Sequence, residues 1–244
     1  MKRVGLLAAI ALLAIATAVR ANETSELTAQ GYKRVKVLSL ASSSRDTPPW
    51  SATAYEANVA NPVAPRVPAR LCFSQNARSS RYCFLAEAEH HGLKYAFQKV
   101  EDLVLRQFQN ATNPVYGVLF GARFRAGGSG NLRLVTLWSI PSVRQAPRQL
   151  LPRILLSKQS EYRFVRGVGP RGSTVFTAAD YVWGKGETHF SAHRFTFSVY
   201  TYDSRTRRFV RILRYVTARK YPSFDDVDVI DVIRHEIGEI RRRL

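Results

Sequence analysis

Paired β-rich runs around glycine-rich or polar turns recur along the chain, and they constrain its fold more than any other feature. Val115 to Arg125 (VYGVLFGARFR) and Leu132 to Ile140 (LRLVTLWSI) flank Ala126-Gly-Gly-Ser-Gly-Asn131. Two runs of β-branched and aromatic residues around such a turn predict a hairpin. Glu161 to Val168 and Thr174 to Trp183 repeat the pattern around Gly169-Pro-Arg-Gly-Ser173. Phe190 to Tyr202 and Phe209 to Ala218 repeat it around Asp203-Ser-Arg-Thr-Arg-Arg208. Within the last pair, Phe195, Phe197 and Val199 alternate with Arg194, Thr196 and Ser198, the signature of one buried and one wet face. Tyr32 to Leu40 alternates basic and apolar residues and is read as an edge strand. Tyr95 to Phe108 is one long strand or two short ones, with a helix as the alternative. No repeat of solenoid or propeller-blade spacing is present. The predicted class is mainly β (α+β). Antiparallel hairpins form a twisted sheet, a sandwich or a propeller-like body, with one C-terminal amphipathic helix.

That helix is expected over residues 225–243. Ile230, Ile233, Ile237, Ile240 and Leu244 recur at steps of three and four, which aligns them on one stripe. Ser223 with Asp226 resembles a capping box. Asp225, Asp226 and Asp228 suit the positive end of the helix dipole, and Arg241, Arg242 and Arg243 the negative end. Residues 41–69 hold Pro48, Pro49, Pro62, Pro65 and Pro68 and are expected to form an extended arm, with Trp50 and Tyr55 pinning it to the body. Residues 141–157, with Pro141, Pro147 and Pro152, are read as a crossing loop.

The N-terminus has the layout of a secretion signal. Lys2 and Arg3 precede an uncharged run from Val4 to Val19, and Val19-Arg20-Ala21 places small residues where a signal peptidase cuts. A membrane anchor needs ~20 apolar residues, more than this run provides. Residues 1–21 are therefore read as a signal, 22–69 as an N-terminal strand and arm, and 70–244 as a β-rich domain. The mature chain is expected to be periplasmic or extracellular, with no later stretch that is long and apolar enough to span a bilayer.

In such a compartment the pair Cys72 and Cys83 reads as a disulfide. Two short strands, Arg70 to Ser74 and Arg81 to Leu85, joined by Asn76 to Ser80, would set the cysteines opposite each other. No C-x-x-C spacing supports a redox role. Of 37 Lys and Arg, Lys2, Arg3 and Arg20 leave with the signal, so 34 face 18 acidic residues and the formal charge is +16. Such a field attracts an anionic polymer or envelope surface. The arginines are scattered, however, so a positive soluble surface is the plainer reading.

One stretch combines metal-ligand types: Trp183-Gly-Lys-Gly-Glu-Thr-His-Phe-Ser-Ala-His193. On a helix, His189 and His193 could share Zn²⁺. On a regular strand they would lie ~13 Å apart, beyond the roughly 11 Å over which two imidazoles reach one ion. Glu187, His189 and His193 are thus candidates for a metal or acid–base site, and a hydrogen-bonded structural cluster is the favoured reading. Glu87, Glu89, His90 and His91 form a second polar group, expected in a solvated turn. His235-Glu236 fails the H-E-x-x-H motif because position 239 is Glu, and Gly127-Gly-Ser-Gly130 is neither a nucleophile elbow nor a phosphate loop. Tyr200, Tyr202, Tyr215 and Tyr221 lie near arginines and pack beside their stems in the ordinary case. No cofactor is implied. The expected function is a non-catalytic exported protein, with a hydrolase using Glu187, His189 and His193, or a structural accessory of the envelope, as alternatives.

Overall fold

Strands that follow one another in the sequence pair with one another in space. The computed structural model describes Leu27 and residues 29–40, 49–57, 67–75, 78–108, 115–124, 132–142, 145–157, 159–188, 190–222 and 231–244. The first sheet comprises β1 (Tyr32–Leu40), β2 (Trp50–Ala57), β3 (Arg70–Gln75) and β4 (Arg78–Leu85), in that order. A two-stranded ribbon follows, β5 (Glu87–His90) with β6 (Leu93–Ala96). The second sheet holds β7 (Lys99–Gln107), β8 (Tyr116–Phe124), β9 (Leu132–Ser139) and β10 (Gln149–Ser157); the third holds β11 (Glu161–Val165), β12 (Val175–Val182), β13 (Arg194–Asp203) and β14 (Arg208–Val216). All pairing is antiparallel and none of the sheets closes into a barrel. The mainly β class with one C-terminal helix, α1 (Val232–Arg243), therefore holds.

The sheets stack in layers, and the alternation of side chains along the central strands shows how. On β8, Val118, Phe120 and Ala122 join the core that contains Ala52, Leu71 and Phe73 of the first sheet, while Leu119 joins Phe176, Ala178 and Phe209 of the third. On β9, Leu134 and Trp138 face the first sheet, and Val135 and Leu137 the third. The second sheet is thus buried on both faces, which is why β8 and β9 are apolar at successive positions rather than at alternate ones. The opposite face of the third sheet (Ala179, Phe195, Phe197, Val199 and Tyr215) is covered by Ile233 and Ile240 of α1.

The chain passes from the first sheet to the second at a junction of three backbone segments. Ala69 N–H donates to Phe97 O (2.7 Å), Phe97 N–H to Ala86 O (2.8 Å) and Ala86 N–H to Ala69 O (2.8 Å). All three residues are buried. The two alanines let the backbones meet at this depth, and the ring of bonds satisfies polar groups that would otherwise be orphaned.

Several expectations are corrected. Residues 50–57, expected within a proline-rich arm, form β2, an interior strand paired with both β1 and β3. The prolines lie outside this run, and Ala52 and Ala54 pack in the core. Residues 149–157, expected within a crossing loop, form β10. Pro152 sits exposed on this edge strand within the register shift between Leu151 and Ile154, where no ladder donor is required. Tyr95 to Phe108 takes the two-strand form among its expected readings, broken at Phe97-Gln98, whereas β13 begins at Arg194 rather than Phe190. The described helix runs from Val232, where Asp231 caps it by accepting from Arg234 N–H at 2.8 Å. Ser223, Asp225, Asp226, Asp228 and Ile230 lie outside the described residues, as do Asn76 and Ala77 of the expected turn.

Candidate functional site

Cys72 on β3 and Cys83 on β4 are directly opposed, with Cα atoms 4.1 Å apart, and are joined as a disulfide on the outer face of the first sheet. Opposed residues in a narrow antiparallel pair come this close, so the hairpin itself brings the two thiols together.

Residues 183–193 form the connection from β12 to β13. The chain turns at Lys185-Gly186, with Gly186 at φ +76°, and Glu187 curls back over the turn. Its Oε2 accepts from Gly184 N–H at 2.7 Å and from His193 Nδ1–H at 2.8 Å, while its Oε1 pairs with Lys220 Nζ at 2.6 Å. A Cβ on residue 184 would lie 2.6 Å from the carboxylate, so any other residue there would push the Glu187 side chain out of this position. The Lys220 ammonium first, then the Gly184 amide and His193, hold the Glu187 carboxyl down at about 2. His193 is anchored by backbone bonds to Tyr221 (2.8 and 2.7 Å) and packs against Tyr181 and Trp183.

Of the predicted triad, Glu187 and His193 therefore do meet, and His189 lies outside the described residues. A carboxylate orienting an imidazole is an arrangement used in acid–base catalysis. Here, however, the remaining nitrogen of the ring, Nε2, is sealed from solvent and has no partner among the described residues. The carboxylate already serves three donors. The pair acts as a clamp that ties the loop to the strand ends. Among the described residues, no three His, Cys, Asp or Glu side chains are grouped to hold a metal ion. Glu87, Glu89, His90 and His91 lie on the β5–β6 hairpin, whose two-residue turn is His91-Gly92 with both φ values positive. Glu87 pairs there with exposed Lys94. His235 is exposed on α1.

A larger feature opens between the second and third sheets: a cleft of about 890 Å³. Arg106, Arg133, Arg163 and Arg166 line it together with Glu101, Asp102, Glu161 and Tyr162. Its acidic groups are all engaged. Glu101 pairs with Arg133 (3.0 Å) and Arg123 (3.5 Å). Asp102 accepts from the Tyr162 hydroxyl, a contact that needs Gly121, because a Cβ there would stand 2.7 Å from that hydroxyl oxygen. Burial first, and then the Asp102 bond, push the Tyr162 phenol far above its ordinary value, so it remains a neutral donor. Glu161 pairs with Arg163 and accepts from Ile233 N–H at 2.9 Å, at the start of α1. Arg106 and Arg166 are exposed and have no ion-pair partner among the described residues.

Sequence reasoning did not find this cleft. Its cations come from β7, β9, β11 and the turn after β11, and the one signal in the sequence was an unlocalised excess of arginine. A buried network was missed as well. Glu236, on the covered face of α1, accepts from Tyr215 Oη (3.0 Å) and from Tyr221 Oη. No protein-family model, curated protein or solved structure matches this chain.

Proposed function

We propose that this chain is an exported, non-catalytic protein that takes anionic partners through its basic surface, with the cleft between the second and third sheets as the binding site. One observation carries the reading: every carboxylate lining the cleft is committed to an internal partner, whereas Arg106 and Arg166 are left over at its walls. A ligand carboxylate, sulfate or phosphate supplies what those guanidinium groups lack. The leader-like N-terminus and the disulfide support a role outside the cytoplasm, and a net charge of +16 after removal of the leader supports anionic partners.

The test is a titration of the mature protein with dextran sulfate and with a polyphosphate oligomer at rising salt. Binding is expected to fall with salt, and Arg106→Ala with Arg166→Ala to weaken it and flatten the salt dependence by about one released counterion per lost contact. Absence of binding at low salt, or an unchanged slope in the double variant, would overturn the reading.

A further inference from the structure

Four of the ten exposed large apolar side chains among the described residues, Val182, Trp183, Phe190 and Val216, lie at one end of the third sheet. Val182 ends β12, Val216 ends β14, and Trp183 and Phe190 belong to the connection that joins β12 to β13 at that end. Phe190 is 77% exposed and Trp183 is 47% exposed. Phe190 is not loose, since its backbone N–H donates to Thr188 Oγ1, and Thr188 N–H donates to Ser191 Oγ at 2.8 Å. The clamp of Glu187, His193 and Lys220 fixes the base of the loop. The fold thus holds Phe190 out into solvent on a braced tip, with the half-exposed Trp183 packed at its base against Tyr181 and His193.

The surroundings of this tip are basic. Val182 is paired with Arg194, Thr196 with Val216 and Ser198 with Arg214, and side chains recur on one face every second residue. Val182, Arg194, Val216 and Arg214 therefore share a face, together with the half-buried Asp180, whose Oδ1 accepts from Ser157 N–H and the Ser160 hydroxyl. Lys185 sits in the turn of the loop and Lys220 at its base, both exposed. The one carboxylate of the loop, Glu187, is already neutralised by Lys220.

We infer that this tip docks on the surface of an anionic lipid bilayer, with Phe190 and Trp183 entering the headgroup region and Lys185, Arg194 and Arg214 lying against the lipid phosphates. The inference rests on the reading of the chain as exported and anion-binding, and it names a second contact surface distinct from the cleft. Four side chains offer far less than the ~1,200 Å² needed for a stable protein–protein contact. A bilayer asks only for a few apolar side chains and a basic rim. An amphipathic Trp belongs at such an interface, and each basic residue near an anionic surface strengthens binding about fivefold.

The experiment is flotation of the mature protein with vesicles of phosphatidylcholine alone and of an equimolar mixture of phosphatidylcholine and phosphatidylglycerol. Trp50 and Trp138 are buried, so the exposed Trp183 provides the signal for insertion. The wild type is expected to float with the mixed vesicles alone, to be released by salt, and to show a Trp emission shift to shorter wavelength. Phe190→Ser removes a side chain that is 77% exposed, and should weaken flotation about tenfold without changing the thermal midpoint. Lys185→Glu with Arg194→Glu should weaken it further. Arg106→Ala with Arg166→Ala should float as the wild type does. No flotation, an unshifted emission, or a Phe190→Ser variant that binds as well as wild type would overturn the inference. If dextran sulfate is still bound in that case, the cleft reading survives; if neither is bound, both fall.

Discussion

Replacing Glu236 with alanine should cost the fold more than its position on a surface helix suggests. The side chain lies on the buried face of α1, between Ile233 and Ile240, where a carboxylate is expensive unless it is fully used. It is used twice by buried tyrosines. Tyr215 Oη donates to Oε2 at 3.0 Å, and Tyr221 Oη donates to Oε1. The Arg219 Nε lies 3.8 Å from the same carboxylate but is exposed, so it adds little. The guanidinium groups of Arg219 and Arg243 sit over the two tyrosine rings, at 4.5 and 4.6 Å, and close the network against solvent. Truncation leaves two buried hydroxyls without an acceptor, at roughly 1–3 kcal/mol each. Partial relaxation of the two rings holds the sum to the lower part of this range, about 3 kcal/mol in total. In a domain of this size, that corresponds to a fall of roughly 6–12 °C in the thermal midpoint. Glu236→Gln keeps one acceptor and should lose about 1 kcal/mol. Urea unfolding followed by tryptophan fluorescence measures both losses. A double-mutant cycle of Glu236→Ala with Tyr215→Phe should show coupling of about 1 kcal/mol or more. A loss below about 0.5 kcal/mol for Glu236→Ala, typical of a surface change, or strictly additive effects in the cycle, would refute the reasoning.

The same network predicts a loss of stability in alkali. Burial first, and then the bond to Glu236, raise the Tyr221 phenol from 10.0 to about 12. The unfolded chain ionises first, so stability should decline between pH 10 and about 12, and Tyr221→Phe should blunt that decline in alkaline unfolding curves. Glu187 titrates in the opposite sense. With its pKa lowered from 4.5 to about 2, chiefly by Lys220, its contribution is present above pH 4.5 and is lost as the pH falls towards 2. Acid titration of Trp183 quenching should show this loosening in the wild type and not in Glu187→Gln. The disulfide closes a loop of 11 residues, so Cys72→Ser with Cys83→Ser should lower stability by roughly 2–3 kcal/mol in chemical denaturation. Gly121→Ala drives a methyl group into the Tyr162 hydroxyl and should cost about 1–3 kcal/mol. Wild-type stability in that variant would show that the cleft wall yields.

Much of the secondary structure could be read in advance, because it rests on local pattern. β8 with β9, β11 with β12 and β13 with β14 all appear where turn residues separate β-rich runs. The helix stripe of Ile233, Ile237 and Ile240 follows from a period that needs no partner to be seen. β2 was hidden by the prolines on either side of it, and β10 by Pro152. No proline falls within Trp50–Ala57, and Pro152 lies in a register shift of an edge strand, where no ladder donor is needed. Glu187 and His193 were singled out by residue type, and they do meet. Their role as a clamp depends on Lys220, which lies 33 residues further on in the sequence and joins Glu187 only in the fold.

The sequence by itself determined the hairpins, the disulfide across β3 and β4, and the amphipathic helix, since each depends on neighbours within a few residues along the chain or across one turn. Only the tertiary structure decided that the three sheets stack face to face, that β8 and β9 are buried on both sides, and that four arginines from separate elements line one cleft. The passage from the first sheet to the second runs through the meeting of Ala69, Ala86 and Phe97, where the chain leaves one sheet for the next. Backbone hydrogen bonds carry no side-chain signature, so a junction made of them leaves no mark in the sequence.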